Sequence, residues 1–129
     1  MVRVVVRDRT YRCILVPALS SATGHFIAQR VSAALLAVLG LWFACALSGL
    51  NGFEHALVRA FIAQPVNCGL LALLSITMAY HSYLGVQVVI DDYVHSPRLN
   101  STAQLLSRVA HLVLALVALH ALYQLGFGA

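Results

Sequence analysis

Three long runs of apolar residues, separated by short polar segments, make up most of the chain. They cover about residues 26–50, 65–90 and 103–127. About 20 apolar residues, each rising 1.5 Å, cross a hydrocarbon layer of roughly 30 Å as a helix. Each run is therefore long enough to span a membrane. The pattern predicts an all-α integral membrane fold with three transmembrane helices over residues 24–129, preceded by a tail over residues 1–23.

Local signals predict where the first two helices begin and end. Ser21 or Thr23 can cap the amino end of the first span. Gly49 and Gly52 can end the helix at its carboxyl side. Pro65 suits the first helical position of the second span, because a proline lacks an N–H that would have no partner there.

The remaining segments are predicted as two loops and a third helix. The first loop holds Glu54 and Arg59. Pro97 disfavours continuation of the second helix, because the residue before a proline avoids the helical conformation. Ser101 or Thr102 is then expected to cap the third span.

Composition agrees with a membrane protein and argues against a nucleic-acid ligand. Of the 129 residues, 61% are hydrophobic and only 9% are charged, whereas soluble domains are about one-quarter charged. The formal net charge is +4, but all eight cations are arginines and they form no basic patch interleaved with aromatic residues. We therefore expect a lipid bilayer, and no nucleic acid, as a partner.

The arginine distribution predicts the orientation. Four of the eight arginines precede residue 13, whereas the first loop has one and the carboxyl terminus has none. Because arginine is enriched on the cytoplasmic side, the tail and the 91–102 loop are expected there. The expected location is the inner membrane of a bacterial cell. A mitochondrial inner membrane is the alternative, because an arginine-rich start is also typical of a transit peptide.

One histidine lies well inside the second apolar run. A polar, ionisable side chain in hydrocarbon needs a partner and suggests a functional site, and neutral imidazole is a common haem ligand. At about 100° per residue, His81, Gly85, Val88 and Asp92 share one helix face. The glycine can leave room for a flat macrocycle or for a close helix. A histidine that only hydrogen-bonds a neighbouring helix is the simpler interpretation of His81 alone.

Two adjacent carboxylates, Asp91 and Asp92, end the second span next to Tyr93. The helix dipole disfavours negative charge at this end, so structure alone would place cations here. A phenol can donate a hydrogen bond to a quinone carbonyl, and a carboxylate can relay protons. A solvated interfacial loop is the alternative.

Other polar residues carry weaker signals. The three cysteines have no CxxC spacing, so neither a zinc site nor an iron–sulfur cluster is indicated. His111 and His120 lie nine positions apart, about 180° around a helix, so they cannot both face one site.

The residues from His81 to Asp92 and Tyr93, with Gly85 between them, resemble the haem-ligand and quinone-site motif of the D-type, haem b-containing membrane anchors of succinate dehydrogenase, respiratory complex II. The stretch from 24 to 33, GHFIAQRVSA, is similar to the first-span entrance of that family. The resemblance covers about residues 24 to 95.

The resemblance implies a role for each matched residue. His81 would be one axial ligand of haem b iron, Tyr93 would hydrogen-bond ubiquinone, and Asp92 would tune or protonate that site. Arg30 would hold haem propionates or the quinone region, and His25 is a further candidate there.

The resemblance also implies partners. The chain would form half of a heterodimeric anchor bundle with a second anchor subunit of the cytochrome b556 type, alongside an iron–sulfur subunit and a flavoprotein subunit. It would serve electron transfer from succinate to quinone and hold no succinate site itself. The alternatives are the anchor of a quinol:fumarate reductase, a small proton-coupled transporter, and a structural anchor without haem.

Overall fold

A computed structural model describes the backbone from residue 8 to residue 128, and the side chains from residue 23 to residue 128. The tail predicted over residues 1–23 therefore lies partly outside the described residues. The described chain is entirely helical apart from short connections, with α1 over Asp8–Ser48, α2 over His55–Ala63, α3 over Pro65–Tyr93 and α4 over Pro97–Phe127.

Three of these helices are long and apolar enough to cross a membrane, over Thr23–Ser48, Pro65–Tyr93 and Pro97–Phe127. The predicted all-α fold with three transmembrane helices is thus confirmed. Pro65 occupies the start of α3 as expected, because its missing N–H needs no partner in the first turn. Helix α1 ends at Ser48, next to Gly49, whose N–H makes a last helical hydrogen bond to the Cys45 carbonyl at 3.1 Å.

Three local predictions were wrong. Helix α1 runs through Ser21 and Thr23 without a break, so neither residue caps its amino end. The segment predicted as a loop around Arg59 contains α2, whose alanine and leucine residues favour a helix.

The start of α4 was also misplaced. Pro97 ends the preceding segment and at the same time begins α4, with Ser96 in an extended conformation at the cap position. The hydroxyls of Ser101 and Thr102 donate instead to carbonyls four residues earlier, at 2.9 Å each. Such bonds belong to residues inside a helix and not to its cap.

Helix α3 lies between α1 and α4, which do not contact each other within the described residues. Contacts between α1 and α3 pair Ser32 with His81 and Gln29 with Gly85, so these helices are antiparallel. Pairs between α3 and α4 likewise run in opposite directions, because His111 meets Ser82 whereas Gln104 meets Gln87. The three spans form a single layer with α3 in the middle.

Few side chains in this layer are buried. Among the described residues the buried apolar side chains are Leu39, Ile62, Leu74 and Leu84, and the buried polar ones are Ser32, Thr77 and Ser107. Small hydroxyl residues are typical of contacts between membrane helices, since they let backbones approach closely. Most large apolar side chains face outward, which suits contact with lipid or with another membrane subunit.

The turn between α3 and α4 is held by Asn100. Its Nδ2 atom lies 3.1 Å from Asp91 Oδ1, 3.3 Å from the Val94 carbonyl and 3.4 Å from the Ile90 carbonyl. The Ile90 carbonyl also accepts from the Val94 N–H at 2.8 Å, so the Asn100 amide adds to the hydrogen bonds at the end of α3 and supplies a partner for the Val94 carbonyl. It thereby sets the start of α4 against the end of α3.

We predict that Asn100→Ala lowers the free energy of unfolding by about 1 kcal/mol, because it removes hydrogen bonds at a half-buried turn. The measurement is detergent-phase denaturation followed by circular dichroism. The matched control is Ser101→Ala, whose exposed hydroxyl bonds only its own helix and whose loss should cost less than about 0.5 kcal/mol. An equal loss in both variants would contradict a special role for Asn100.

Candidate functional site

His81 lies at the contact between α3 and α1, where its ring is half-buried. Its Nδ1 atom is 2.9 Å from the hydroxyl oxygen of Ser32, a residue only 5% exposed. The same hydroxyl lies 3.1 Å from the Gln29 carbonyl. A hydroxyl has one proton and a carbonyl can only accept, so Ser32 donates to Gln29 and accepts from His81.

This assignment determines the tautomer of the imidazole. With its proton on Nδ1, neutral His81 has an unprotonated Nε2 atom with a free lone pair. That is the form of histidine that binds a metal, and metal-binding histidines usually donate their other N–H to a fixed acceptor. The buried Ser32 hydroxyl is such an acceptor.

Gly85 lies one turn beyond His81 on the same face of α3, as the spacing predicts. A Cβ atom at this position would meet only the Gln29 amide nitrogen, at 4.0 Å. A Cβ atom here would make only an ordinary van der Waals contact, so the glycine leaves the room of one such atom between α3 and Gln29.

The two aspartates at the end of α3 have different surroundings. One oxygen of Asp91 accepts hydrogen bonds from Asn100 Nδ2 at 3.1 Å and Gln104 Nε2 at 2.9 Å. Asp92 is exposed and, among the described residues, has no hydrogen-bond partner. Tyr93 beside it is 79% exposed. Asp91 therefore joins α3 to α4, whereas Asp92 and Tyr93 remain available to a ligand or to another subunit.

The two candidates on α1 face different directions. His25, Gln29 and Ser32 share the face that packs on α3, because they are spaced four and three residues apart. The Nε2 atom of His25 is buried and has no hydrogen-bond partner in the described part of the chain. Arg30 is exposed, and its guanidinium lies 5.0 Å from the centroid of the Phe26 ring. The structure thus places His25 on the same face of α1 as Ser32, the partner of His81, and places Arg30 outside that face.

Sequence reasoning missed a polar cluster on the opposite side of α3. His111 Nδ1 donates to the Ser107 carbonyl at 2.8 Å, and its Nε2 accepts from the Ser82 hydroxyl at 3.1 Å. Arg108 Nη2 donates to the Tyr83 hydroxyl oxygen at 3.2 Å. The signal in the sequence was the spacing of Arg108 and His111, three apart and hence on one face of α4.

This cluster shows how His111 differs from His81. Both nitrogens of His111 have partners within the chain, so no lone pair is left for a metal. His120 is exposed, so the structure places His111 and His120 on different faces of α4, as their spacing predicts. Among the described residues, no three histidine, cysteine, aspartate or glutamate side chains cluster to hold a metal ion.

Comparison with known proteins identifies a family whose members resemble this chain over most of its length. The model of a family described as the succinate dehydrogenase/fumarate reductase transmembrane subunit matches residues 10–124. The matched residues include the first two membrane spans and most of the third. They also include His81, Asp92 and Tyr93.

Individual relatives are similar over the same region. A protein of Rickettsia bellii is 30% identical over 82 residues, which are 64% of this chain and 66% of the relative, just under two-thirds of its length. A protein of Rickettsia conorii is 26% identical over 107 residues, 82% of this chain and 85% of the relative. Each relative is named a succinate dehydrogenase hydrophobic membrane anchor subunit.

Proposed function

Because the chain belongs to the family of transmembrane subunits of succinate dehydrogenase and fumarate reductase, we propose that it is the hydrophobic membrane anchor of a succinate:quinone oxidoreductase. In this proposal it contributes one axial ligand of haem b and part of the ubiquinone-reduction site. The direction, from succinate to quinone, follows the names of its relatives. No succinate site is proposed in this chain.

The observation that supports this function most directly is the hydrogen bond between His81 and Ser32. It holds the imidazole as the tautomer with a free Nε2 lone pair, within an apolar span and one turn from Gly85, which adds no side chain beside the ring. Haem iron can be held by a single histidine of one chain, so His81 would need no cluster of metal-binding residues around it. These residues fit the group.

When bound, the haem supplies a one-electron redox centre within the membrane. The residues of this chain bind and orient it. His81 is the proposed iron ligand, and Ser32 fixes its ring by accepting a hydrogen bond from Nδ1. His25 and Arg30 are proposed to hydrogen-bond the haem propionates or the quinone region. The buried, unpartnered Nε2 of His25 is an atom that such a group would satisfy.

The proposed quinone contacts lie at the carboxyl end of α3. Asp92 follows His81 by eleven residues, which is roughly 16 Å along a helix. The Tyr93 hydroxyl is proposed to donate a hydrogen bond to a quinone carbonyl, and the Asp92 carboxylate to supply or relay protons as the quinone is reduced. Both side chains are exposed in this chain, so a partner subunit would have to complete the quinone-binding site.

The proposal implies three partner subunits. A second membrane anchor, of the cytochrome b556 type, would supply the other iron ligand, since His81 supplies only one. An iron–sulfur subunit would deliver electrons at the Tyr93 end, and a flavoprotein subunit would oxidise succinate. The proposed location is the cell inner membrane, with the amino terminus on the cytoplasmic side.

We predict that His81→Ala in the assembled complex removes one iron ligand and lowers haem content or converts its low-spin spectrum to a high-spin one. The measurement is the reduced-minus-oxidised optical spectrum per mole of complex. His120→Ala is the matched control, because His120 is an exposed histidine on another helix. A normal low-spin spectrum at full haem content in His81→Ala would exclude this residue as the ligand.

Variants of Ser32 separate the ligand role of His81 from simple packing. Loss of a hydrogen-bond partner to a metal-bound histidine typically weakens metal binding by about 10-fold or more. We expect Ser32→Ala to weaken haem retention accordingly, and Ser32→Thr, which keeps the hydroxyl, to restore it. Equal behaviour of the two variants would indicate that the hydroxyl does not support the ligand.

We predict that Tyr93→Phe lowers quinone reduction by about tenfold, since a hydrogen bond to a charged reduced quinone contributes about 1.5–3 kcal/mol. Succinate oxidation with an acceptor that takes electrons before the quinone should not change. Tyr123→Phe, on another helix and 62% exposed, is the control. Equal loss of both activities would point to faulty assembly and not to a quinone contact.

We predict the orientation from the arginine distribution, which places the 91–102 loop on the cytoplasmic side. In a cysteine-free background, a cysteine at Ser96 should resist an impermeant reagent added outside spheroplasts, and a cysteine at Asn51 should react. Both positions are exposed and lie toward opposite ends of α3. The reverse labelling pattern would overturn the orientation and place Tyr93 away from its proposed electron donor.

A further inference from the structure

A groove of about 300 Å³ lies between α3 and α4. Arg108 and Tyr83 form its polar end, and Tyr80 and the hydrogen-bonded His111 also line it. Its apolar wall is formed by Ile76, Ala79, Leu112 and Ala115. None of these residues is used by the proposed haem or quinone site.

The arginine in this groove has no anionic partner in the described part of the chain. Its Nη2 and Nε atoms lie 3.2 and 3.4 Å from the Tyr83 hydroxyl oxygen, and its guanidinium lies 5.9 Å from the centroid of that ring. A phenol is neutral, so the charge of Arg108 is not compensated. Because a charge near hydrocarbon is costly to leave unpaired, an anionic group is expected beside it.

The sequence of α4 indicates how deep Arg108 lies in the membrane. The first turns of the helix are polar, whereas the fourteen residues from Val109 to Leu122 include only two polar side chains, both histidines. Arg108 therefore lies at the edge of the apolar run. A long arginine side chain in this position extends toward the headgroup region, where lipid phosphates are found.

The apolar wall continues inward from this polar end along both helices. Leu112 and Ala115 follow Arg108 by four and seven positions, so they share its face of α4. Ala79 and Ile76 precede Tyr83 by four and seven positions on antiparallel α3. The groove is thus cationic at the headgroup level and mostly apolar below it, where both nitrogens of His111 already have partners.

We propose that this groove binds an anionic phospholipid, with its phosphate on the Arg108 guanidinium and the Tyr83 hydroxyl. One acyl chain lies along the stripe of Leu112, Ala115 and Ala79. Arginine matches phosphate geometry by donating two parallel hydrogen bonds. The small side chains of the alanines leave the space that the acyl chain fills.

The test uses the complete complex, extracted in mild detergent, depleted of lipid and supplied with dioleoylphosphatidylglycerol. Native mass spectrometry counts the bound lipid. Arg108→Gln should weaken retention by about tenfold, as expected for loss of one charge-assisted contact. Arg98→Gln is the matched control, because Arg98 is exposed in the first turn of α4 and does not line the groove. Unchanged retention in Arg108→Gln would overturn the proposal.

A second variant tests the acyl-chain part without altering charge. Ala115→Leu fills the groove and should also weaken retention of phosphatidylglycerol while Arg108 remains. Inorganic phosphate at the same concentration should not compete. Effective competition by phosphate, or loss of another subunit in place of lipid from Arg108→Gln, would show that the groove does not take a phospholipid. The haem spectrum is expected to stay normal in both variants, so this result is independent of the proposed function.

Discussion

The lack of water inside a bilayer is the constraint on which this structure depends. Backbone groups must pair within each span, which only a continuous helix can do for a single segment. The same rule applies to polar side chains. Ser75 and Thr77 donate to carbonyls of their own helix at 2.8 and 2.7 Å. Other polar groups, such as His81 and His111, find their partners at the contacts of α3 with α1 and α4.

The central position of α3 gives it two contact faces with different chemistry. On one face, a serine hydroxyl accepts a hydrogen bond from His81 and leaves the other ring nitrogen open. On the other face, His111 uses both nitrogens within the chain. Both histidines lie in apolar spans, so their depth in the membrane does not distinguish them. Their hydrogen-bond partners do: His81 keeps a free ring nitrogen and is a candidate ligand, whereas His111 is structural. The proposed haem site depends on this difference.

A similar division separates the two carboxylates at the end of α3. Successive residues on a helix point about 100° apart, so Asp91 and Asp92 cannot serve the same neighbour. Asp91 accepts from Asn100 and Gln104 and so fixes the turn into α4. This contact holds the end of α3 in place. Asp92 and Tyr93 lie at that end and are exposed. Structural and proposed functional roles are thus carried by neighbouring residues.

The sequence by itself determined the three membrane spans, the start of α3 and the shared face of His81, Gly85 and Asp92. These properties depend on local hydropathy and on the 3.6-residue period, which act within one helix. The sequence did not reveal α2 or the start of α4 at Pro97, since short helices and caps depend on small differences in local free energy. Only the tertiary structure decided which hydroxyl meets His81 and which aspartate is engaged. Those pairings join residues up to 49 positions apart and depend on the rotation and register of packed helices, which no local pattern specifies.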